Sequence, residues 1–438
     1  MTEKMNAWFS ENGERMCALS RDLWEHPELS RKEYYACQVL QKTLREEGFE
    51  LQTNVAGLET AFTACWGRGR PYIGFLAEYD ALPGLSQETV PERCPLPQEA
   101  GQGCGHNLLG TAATAAAIAL KKSLEEEGRS GTVFLFGCPS EEIMEGKIIM
   151  AKAHVFDQLD VAISWHPGDH NFKGKASHAA MAPQEGRSAL DAVELMDVGV
   201  NYLREHVPTG GQLHYVILDG GQKPNIVPET AAVWQFIRGS STQDVRKMAA
   251  RMDKIAQGAA LMTETTFEKK VLTGCNETRI VPALVNIMND VMAEEVPSIS
   301  WTEEEKTFSR NLLQNLGVDR QSLRAYFGSD VWENPLDEGY SVPGGKTIPI
   351  LGSSDLSDVS YIVPTCMLFA ACYPKGTPNH TWGVTACAGM SIGQKGMLYA
   401  AKVMACTGYR LACDPDLMKK VQESFKKALD GAVYESMT

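Results

Sequence analysis

The chain has 438 residues, enough for two or three domains at roughly 150 residues each. Asp and Glu outnumber Lys and Arg by 55 to 41, a net charge of −14, which excludes partners that need a basic face, such as nucleic acid or an anionic membrane. Hydrophobic residues at 44% and charged residues at 22% exclude a disordered chain.

The N-terminal stretch MTEKMNAWFSENGERM is charged and has no apolar core, so it does not read as a signal peptide. Residues 12–48 carry Leu and Val at helical spacing, broken at HPELS (26–30), where Pro27 disfavours helix at His26. Segments 72–77 (YIGFLA), 132–137 (TVFLFG) and 161–165 (VAISW) read as buried strands. An alanine-rich helix is predicted over 108–124, and its mild apolar run at 110–120 is too short to span a bilayer. Strands alternating with helices predict an α/β fold with a mixed, mostly parallel sheet flanked by helices.

The pattern then changes. A helix at 188–205, strands at 214–218 and 231–237, a helix at 242–262 and a strand at 265–271 predict a ferredoxin-like α+β unit. Beyond about residue 281 longer helices return, with a last strand at 366–372 and a helix at 390–405. The simplest account is a small domain inserted into a larger one.

The 12 cysteines are scattered and include no C-x-x-C pair, so neither a zinc ribbon nor a thioredoxin-type motif is present. Together with the missing secretion signal, they are expected to be reduced thiols of a cytoplasmic protein.

Side chains that do chemistry in open α/β sheets gather at the carboxyl ends of strands. Three such ends carry metal-ligand residue types here. The strand at 132–137 runs into CPSEE, giving Glu141 and Glu142. The strand at 161–165 is followed by His166. The last strand leads through PKGTPN to His380. GQGCGHN at 101–107 adds Cys104 and His106 just before the alanine-rich helix. Thiolate, imidazole and carboxylate together suit a borderline-soft divalent cation. Taken singly, each residue has a plainer reading as a solvated pair, a core histidine or a loop residue; the coincidence at one sheet edge carries the argument. Adjacent glutamates suit metal-assisted hydrolysis, one as ligand and the other moving the proton of the attacking water to the leaving amine.

At these residues the sequence resembles the aminoacylase/carboxypeptidase family of two-metal peptidases, in its amidohydrolase branch. The resemblance runs from HPELS and AEYDALPG (77–84) through GCGHNLLGTA (103–112), the glutamate pair and WHP (165–167). It continues with GKASHAA (174–180), GRSALDAV (186–193), PNIVP (224–228) and GAALMTET (258–265). GSSDLSDVS (352–360) and GTPNHTW (376–382) complete it. It implies a catalytic domain of residues 1–171 and 281–438 holding two divalent ions, zinc or manganese. The insert, 172–280, would be a lid and dimerisation domain. The ligands implied are Cys104, His106, Glu142, His166 and His380, with Glu141 as general base and acid. Glu78 stands where the wider family has a ligand histidine, and Cys104 with His106 compensate. Asp80 and Asp358 are expected to orient ligands. His178 matches a histidine that reaches across a dimer to the oxyanion, and Asn225 and Arg238 match residues that hold the substrate's carboxylate or carbonyl. The implied activity is hydrolysis of an N-acyl or N-aroyl amino acid, or a dipeptide. The chain would act as a homodimer through the lid or paired with a related subunit.

One departure is visible. Only the seven residues 167–173 separate His166 from Gly174, where relatives carry a longer stretch, so the lid sheet is expected to be one strand short or its residues missing. Two other readings compete. One is a thiol amidase with Cys138 as nucleophile; the other is a catalytically silent subunit that binds ligand and supports a partner. GQGCGH does not supply G-x-G-x-x-G, and there is no H-E-x-x-H.

Overall fold

The computed structural model describes residues 3–168, 188–221, 228, 230–296, 298–327, 330–338 and 354–437. The chain divides into two compact units, Met1–Phe172 with Thr278–Ser436, and Lys173–Glu277 with Met437–Thr438.

The first unit is built on a six-stranded sheet. Its order is Glu50–Thr53, Phe62–Arg68, Gly131–Gly137, Tyr72–Ala77, Val161–Gly168 and Thr365–Ala371. The last four run parallel, while the first two pair antiparallel at one edge. The mostly parallel α/β sheet is therefore as the sequence predicts. The two antiparallel strands were not expected: they are short or only half-buried, and neither carries a continuous apolar run.

Alternation along the central strands fills two layers. Val133 and Leu135 face one core cluster with Ile73, Phe75 and Trp165; Phe134 and Phe136 face the other with Leu76, Met150 and Phe156. The helix His106–Glu126 is buried from His106 to Lys121 on every side. Its Ala, Gly and Thr residues allow this, because small side chains let Ser391–Cys413 and the sheet approach closely. Gly110 shows the limit: a β-carbon there would come within 2.7 Å of the Glu78 carbonyl oxygen.

The second unit contains helices Ala189–Leu203 and Thr242–Thr263 and the antiparallel pair Gln212–Asp219 and Ala232–Arg238. Each helix starts on a serine whose hydroxyl accepts a first-turn N–H, Ser188 from Asp191 and Ser241 from Asp244. Val200, Leu203, Leu213, Met248 and Met252 form its core. The strand expected at 265–271 is absent: the chain there is irregular, with Glu268, Lys269 and Val271 exposed. Polar residues interrupt its alternation, so the apolar signal read from the sequence was too weak to form a ladder. The short connection at 169–173 and the GKASHAA segment lie outside the described residues. Among the described residues, no helix is long and apolar enough to cross a membrane.

Candidate metal centre

The carboxyl ends of the parallel strands converge as the topology requires. Tyr72–Ala77 delivers Glu78 and Asp80; Gly131–Gly137 delivers Glu141 and Glu142; Val161–Gly168 contains His166 near its end. Cys104 and His106 arrive on the loop that opens the alanine-rich helix. Gly105 makes that turn possible, since it adopts φ +80° with Pro167 only 3.1 Å from where a β-carbon would be. His380 adopts φ 54°, and its backbone N–H donates to Gly103 O at 3.2 Å, tying the two loops together.

Three groups of donor atoms lie within 4.8 Å of one another: Cys104, His106 and His166; Cys104, Glu142 and His380; Glu78, His106 and Glu141. Cys104 Sγ is 3.3 Å from His166 Nε2, and Glu142 Oε2 is 3.5 Å from His380 Nε2. All five residues named as ligands are thus brought together. Their chemistry fits a divalent cation by a second sign. The buried atoms Glu78 Oε2, His106 Nε2 and Glu142 Oε1 have no hydrogen-bond partner, which is costly unless an ion is meant to meet them.

Supporting contacts fix these atoms. His106 Nδ1 lies 2.9 Å from Asp80 Oδ1, and a carboxylate can only accept, so Nδ1 carries a proton and Nε2 is the nitrogen whose lone pair a metal would use. Without an ion, burial lowers the pKa of His106, but Cys104 and Asp80 outweigh it and hold the imidazole well above its ordinary value and charged. The other oxygen of Asp80 accepts from Ser30 Oγ at 2.8 Å and from the Glu142 backbone N–H at 3.0 Å. Glu33 accepts the Ser140 N–H at 2.8 Å and also meets Thr60 and the Arg31 N–H, so it pins the loop before the glutamate pair. Ser30 belongs to HPELS, a motif whose role the sequence did not disclose.

Charge is crowded here. Burial raises the pKa of Glu141 well above the usual carboxylate range, with Glu78 and Asp355 adding to the effect. Burial likewise pushes Glu142 up to about 7, opposed by His106. His166 is pushed down to about 4 by burial and by the charge of His106, which keeps it a neutral imidazole.

Asp358 is fully buried in the short helix Leu356–Val359, and burial together with the neighbouring Asp358 carboxylate raises the Tyr434 hydroxyl above its ordinary pKa. Asp355, three residues earlier, is joined through Lys147 to Glu78. Arg238 ends a strand of the second unit with its guanidinium 5.0 Å from the Phe236 ring. His178 and Asn225 lie outside the described residues. Cys138 is completely buried, and burial raises its thiol far above its ordinary value, which disfavours a nucleophilic thiolate. Lys147 and Glu33 were not found from the sequence. Each lies in a stretch of mixed polarity, where a charged residue reads as solvated.

A mostly parallel sheet with three groups of metal-donor side chains at the carboxyl ends of its strands is the arrangement of a metal-dependent hydrolase. Residues 162–291 match the M20 peptidase dimerisation domain. Over 96% of its length the chain is 38% identical to a subunit of the p-aminobenzoyl-glutamate hydrolase of Escherichia coli (strain K12), covering 94% of that protein. It is 29% identical to the Xaa-Arg dipeptidase of Homo sapiens, over 96% of this chain and 90% of that one. A dinuclear metal-binding peptidase of the M20 family from Bacillus subtilis shares the fold, with a TM-score of 0.56 at 17% identity, covering 92% of this chain and 99% of that one. The chain belongs to the M20 family, the two-metal aminoacylase/carboxypeptidase family, and is an enzyme that hydrolyses linear amide bonds.

Proposed function

We propose that the enzyme cleaves the amide bond of an N-acyl or N-aroyl amino acid of the p-aminobenzoyl-glutamate kind. Two divalent ions, zinc or manganese, would be held by Cys104, His106, Glu142, His166 and His380. The observation that carries this reading is the glutamate pair. Glu142 lies with Cys104 and His380, while Glu141 lies with Glu78 and His106, its Oε2 4.0 Å from His106 Nε2. Bound ions lower the pKa of water and polarise the scissile carbonyl. Glu141 takes the proton from the attacking water and returns it to the leaving nitrogen; a carboxyl whose burial raises its pKa is suited to both steps. Asp80 keeps His106 in the tautomer that presents Nε2. Arg238 supplies the planar cation expected to meet the substrate's carboxylate, together with Asn225, and His178 the donor for the oxyanion. In this reading residues 1–171 and 281–438 form the catalytic domain and 172–280 the lid, through which the chain pairs with a second copy or a related subunit.

The relatives support two substrate classes. The E. coli hydrolase points to an aroyl-glutamate, and the Xaa-Arg dipeptidase to a dipeptide ending in a basic residue. The test is the metal-loaded protein assayed against p-aminobenzoyl-glutamate, N-acyl amino acids and Xaa-Arg dipeptides. Turnover of p-aminobenzoyl-glutamate at a kcat/KM well above the dipeptides is expected. No turnover of p-aminobenzoyl-glutamate or the N-acyl amino acids would overturn this substrate assignment.

A further inference from the structure

Lys147 is fully buried beside the metal centre, on the helix Gly146–Lys152. Its ammonium is 2.9 Å from Glu78 Oε1 and paired with Asp355 Oδ1. The other Asp355 oxygen accepts the Lys147 backbone N–H at 2.8 Å, so one carboxylate grips the lysine at both ends. Lys147 and Asp355 are both 0% exposed and Glu78 is 3% exposed. A lysine is retained in such a place only when carboxylates compensate its lost hydration, and removing one partner leaves a buried charge unpaired.

Glu78 is divided between two roles. Its Oε1 is committed to Lys147. Its Oε2 has no hydrogen-bond partner and lies 3.4 Å from His106 Nε2, which has none either. Asp80 occupies the other nitrogen of His106, so Nε2 is the atom turned toward the site. Two donors that each lie about 2.0–2.2 Å from one ion sit at about this separation.

We propose that Lys147 and Asp355 are positioning residues that clamp one oxygen of Glu78, so that the other joins His106 as an additional metal ligand. This rests on the reading of the site as a metal centre. The clamp makes Glu78 a one-oxygen ligand, because its second oxygen cannot leave the ammonium without taking one of the two carboxylates that compensate a fully buried charge. It also offsets part of the negative charge that Glu78, Asp80, Glu141, Glu142 and Asp355 bring to one place, which a metal-free site must otherwise bear alone.

The test strips the full-length protein with a chelator and titrates it with Co²⁺, following metal content and the visible absorption of the bound ion. That spectrum reports the number and geometry of ligands, which a purely structural role would not change. Glu78→Gln is expected to weaken one of the two ions by about 10–100-fold and to alter its spectrum. Asp355→Asn keeps the side-chain shape and is expected to weaken the same ion by about tenfold. Lys147→Met alone strands two carboxylates and risks the fold, so it is also made with Glu78→Gln. The double variant is expected to match Glu78→Gln, since the clamp then has nothing to hold. Parent affinity and parent spectrum in Glu78→Gln overturn the proposal, as does full additivity of the two substitutions. A parent protein that takes up no divalent ion overturns the metal-centre reading itself, and this inference with it.

Discussion

Asp80 Oδ1 and His106 Nδ1 are joined by a 2.9 Å hydrogen bond in which neither side chain meets solvent. Asp80→Asn replaces the acceptor with a group that can present a donor, and the imidazole loses the contact that fixes its tautomer. Metal affinity is expected to fall by about 10–100-fold. A competition titration against a chelator of known strength measures this. Unchanged affinity would show that the imidazole is oriented by something other than Asp80.

Glu141→Ala is expected to keep both ions, because the named ligands are intact, and to lower kcat by about 10²–10⁴-fold, the range for a lost general base. Metal analysis and steady-state kinetics on the same sample separate the two effects. Substantial hydrolysis by this variant would remove Glu141 from the role of base.

The fold was legible where apolar runs are continuous. YIGFLA occupies the strand Tyr72–Ala77 as expected, TVFLFG is extended by Gly131, and VAISW runs on to Gly168. The edge strands Glu50–Thr53 and Phe62–Arg68 were not legible, because half-exposed strands leave no apolar signature. In the site, Cys104, His106, Glu142, His166 and His380 could be named because each is a ligand type at a strand or helix end. Lys147 could not, since a lysine in GKIIMAK gives no local sign of turning inward. Nor could Asp355 be picked out in GSSDLSDVS, because which carboxylate meets Lys147 depends on the phase of a helix of only four residues.

Two cysteines separate the metal mechanism from a thiol mechanism. Cys138 is buried and its SH lies 3.5 Å from Phe136 O, so Cys138→Ser is expected to cost stability but to leave kcat within about a factor of a few. Cys104→Ser replaces a soft ligand present in two of the donor groups and is expected to lose metal and activity together. A chelator should abolish turnover in parent and Cys138→Ser alike. Activity that survives chelation but not Cys138→Ser would select the thiol amidase.

Metal uptake should release protons. In the metal-free protein burial holds the Cys104 thiol well above its ordinary value, and pushes Glu142 up to about 7. Both must be deprotonated to bind an ion, so affinity rises with pH. The rise is expected to be steep below about pH 7, where both groups still carry protons, and shallower above, where Glu142 is already ionised. Calorimetric titration in two buffers of different ionisation enthalpy counts the protons. Affinity that is flat from pH 6 to 8 would contradict this assignment of ligands.

Away from the site, Glu305 ties two helices together and makes stability depend on acid. Thr302 and Glu305 form a reciprocal cap at the start of helix Glu303–Asn315, with N–H to oxygen distances of 2.8 and 3.2 Å. The same carboxylate accepts from Ser391 Oγ at 2.7 Å and from Lys395 Nζ at 2.7 Å. Burial pushes its pKa up, but the bonds from Lys395, Ser391 and Thr302 outweigh this and leave it below the ordinary value. A depressed carboxylate contributes its full stability above the unfolded pKa of about 4.3 and loses it as pH falls through the lower folded value. Glu305→Gln is therefore expected to cost about 1 kcal/mol at pH 7, a modest figure because Lys395 is one-third exposed and screened. The gap between the two proteins should stay constant down to about pH 5 and close toward pH 3, as the parent's carboxylate takes up its proton. Denaturant unfolding at each pH measures it, and a gap of the same size at pH 3 would place the effect in the shape of the side chain rather than in its charge.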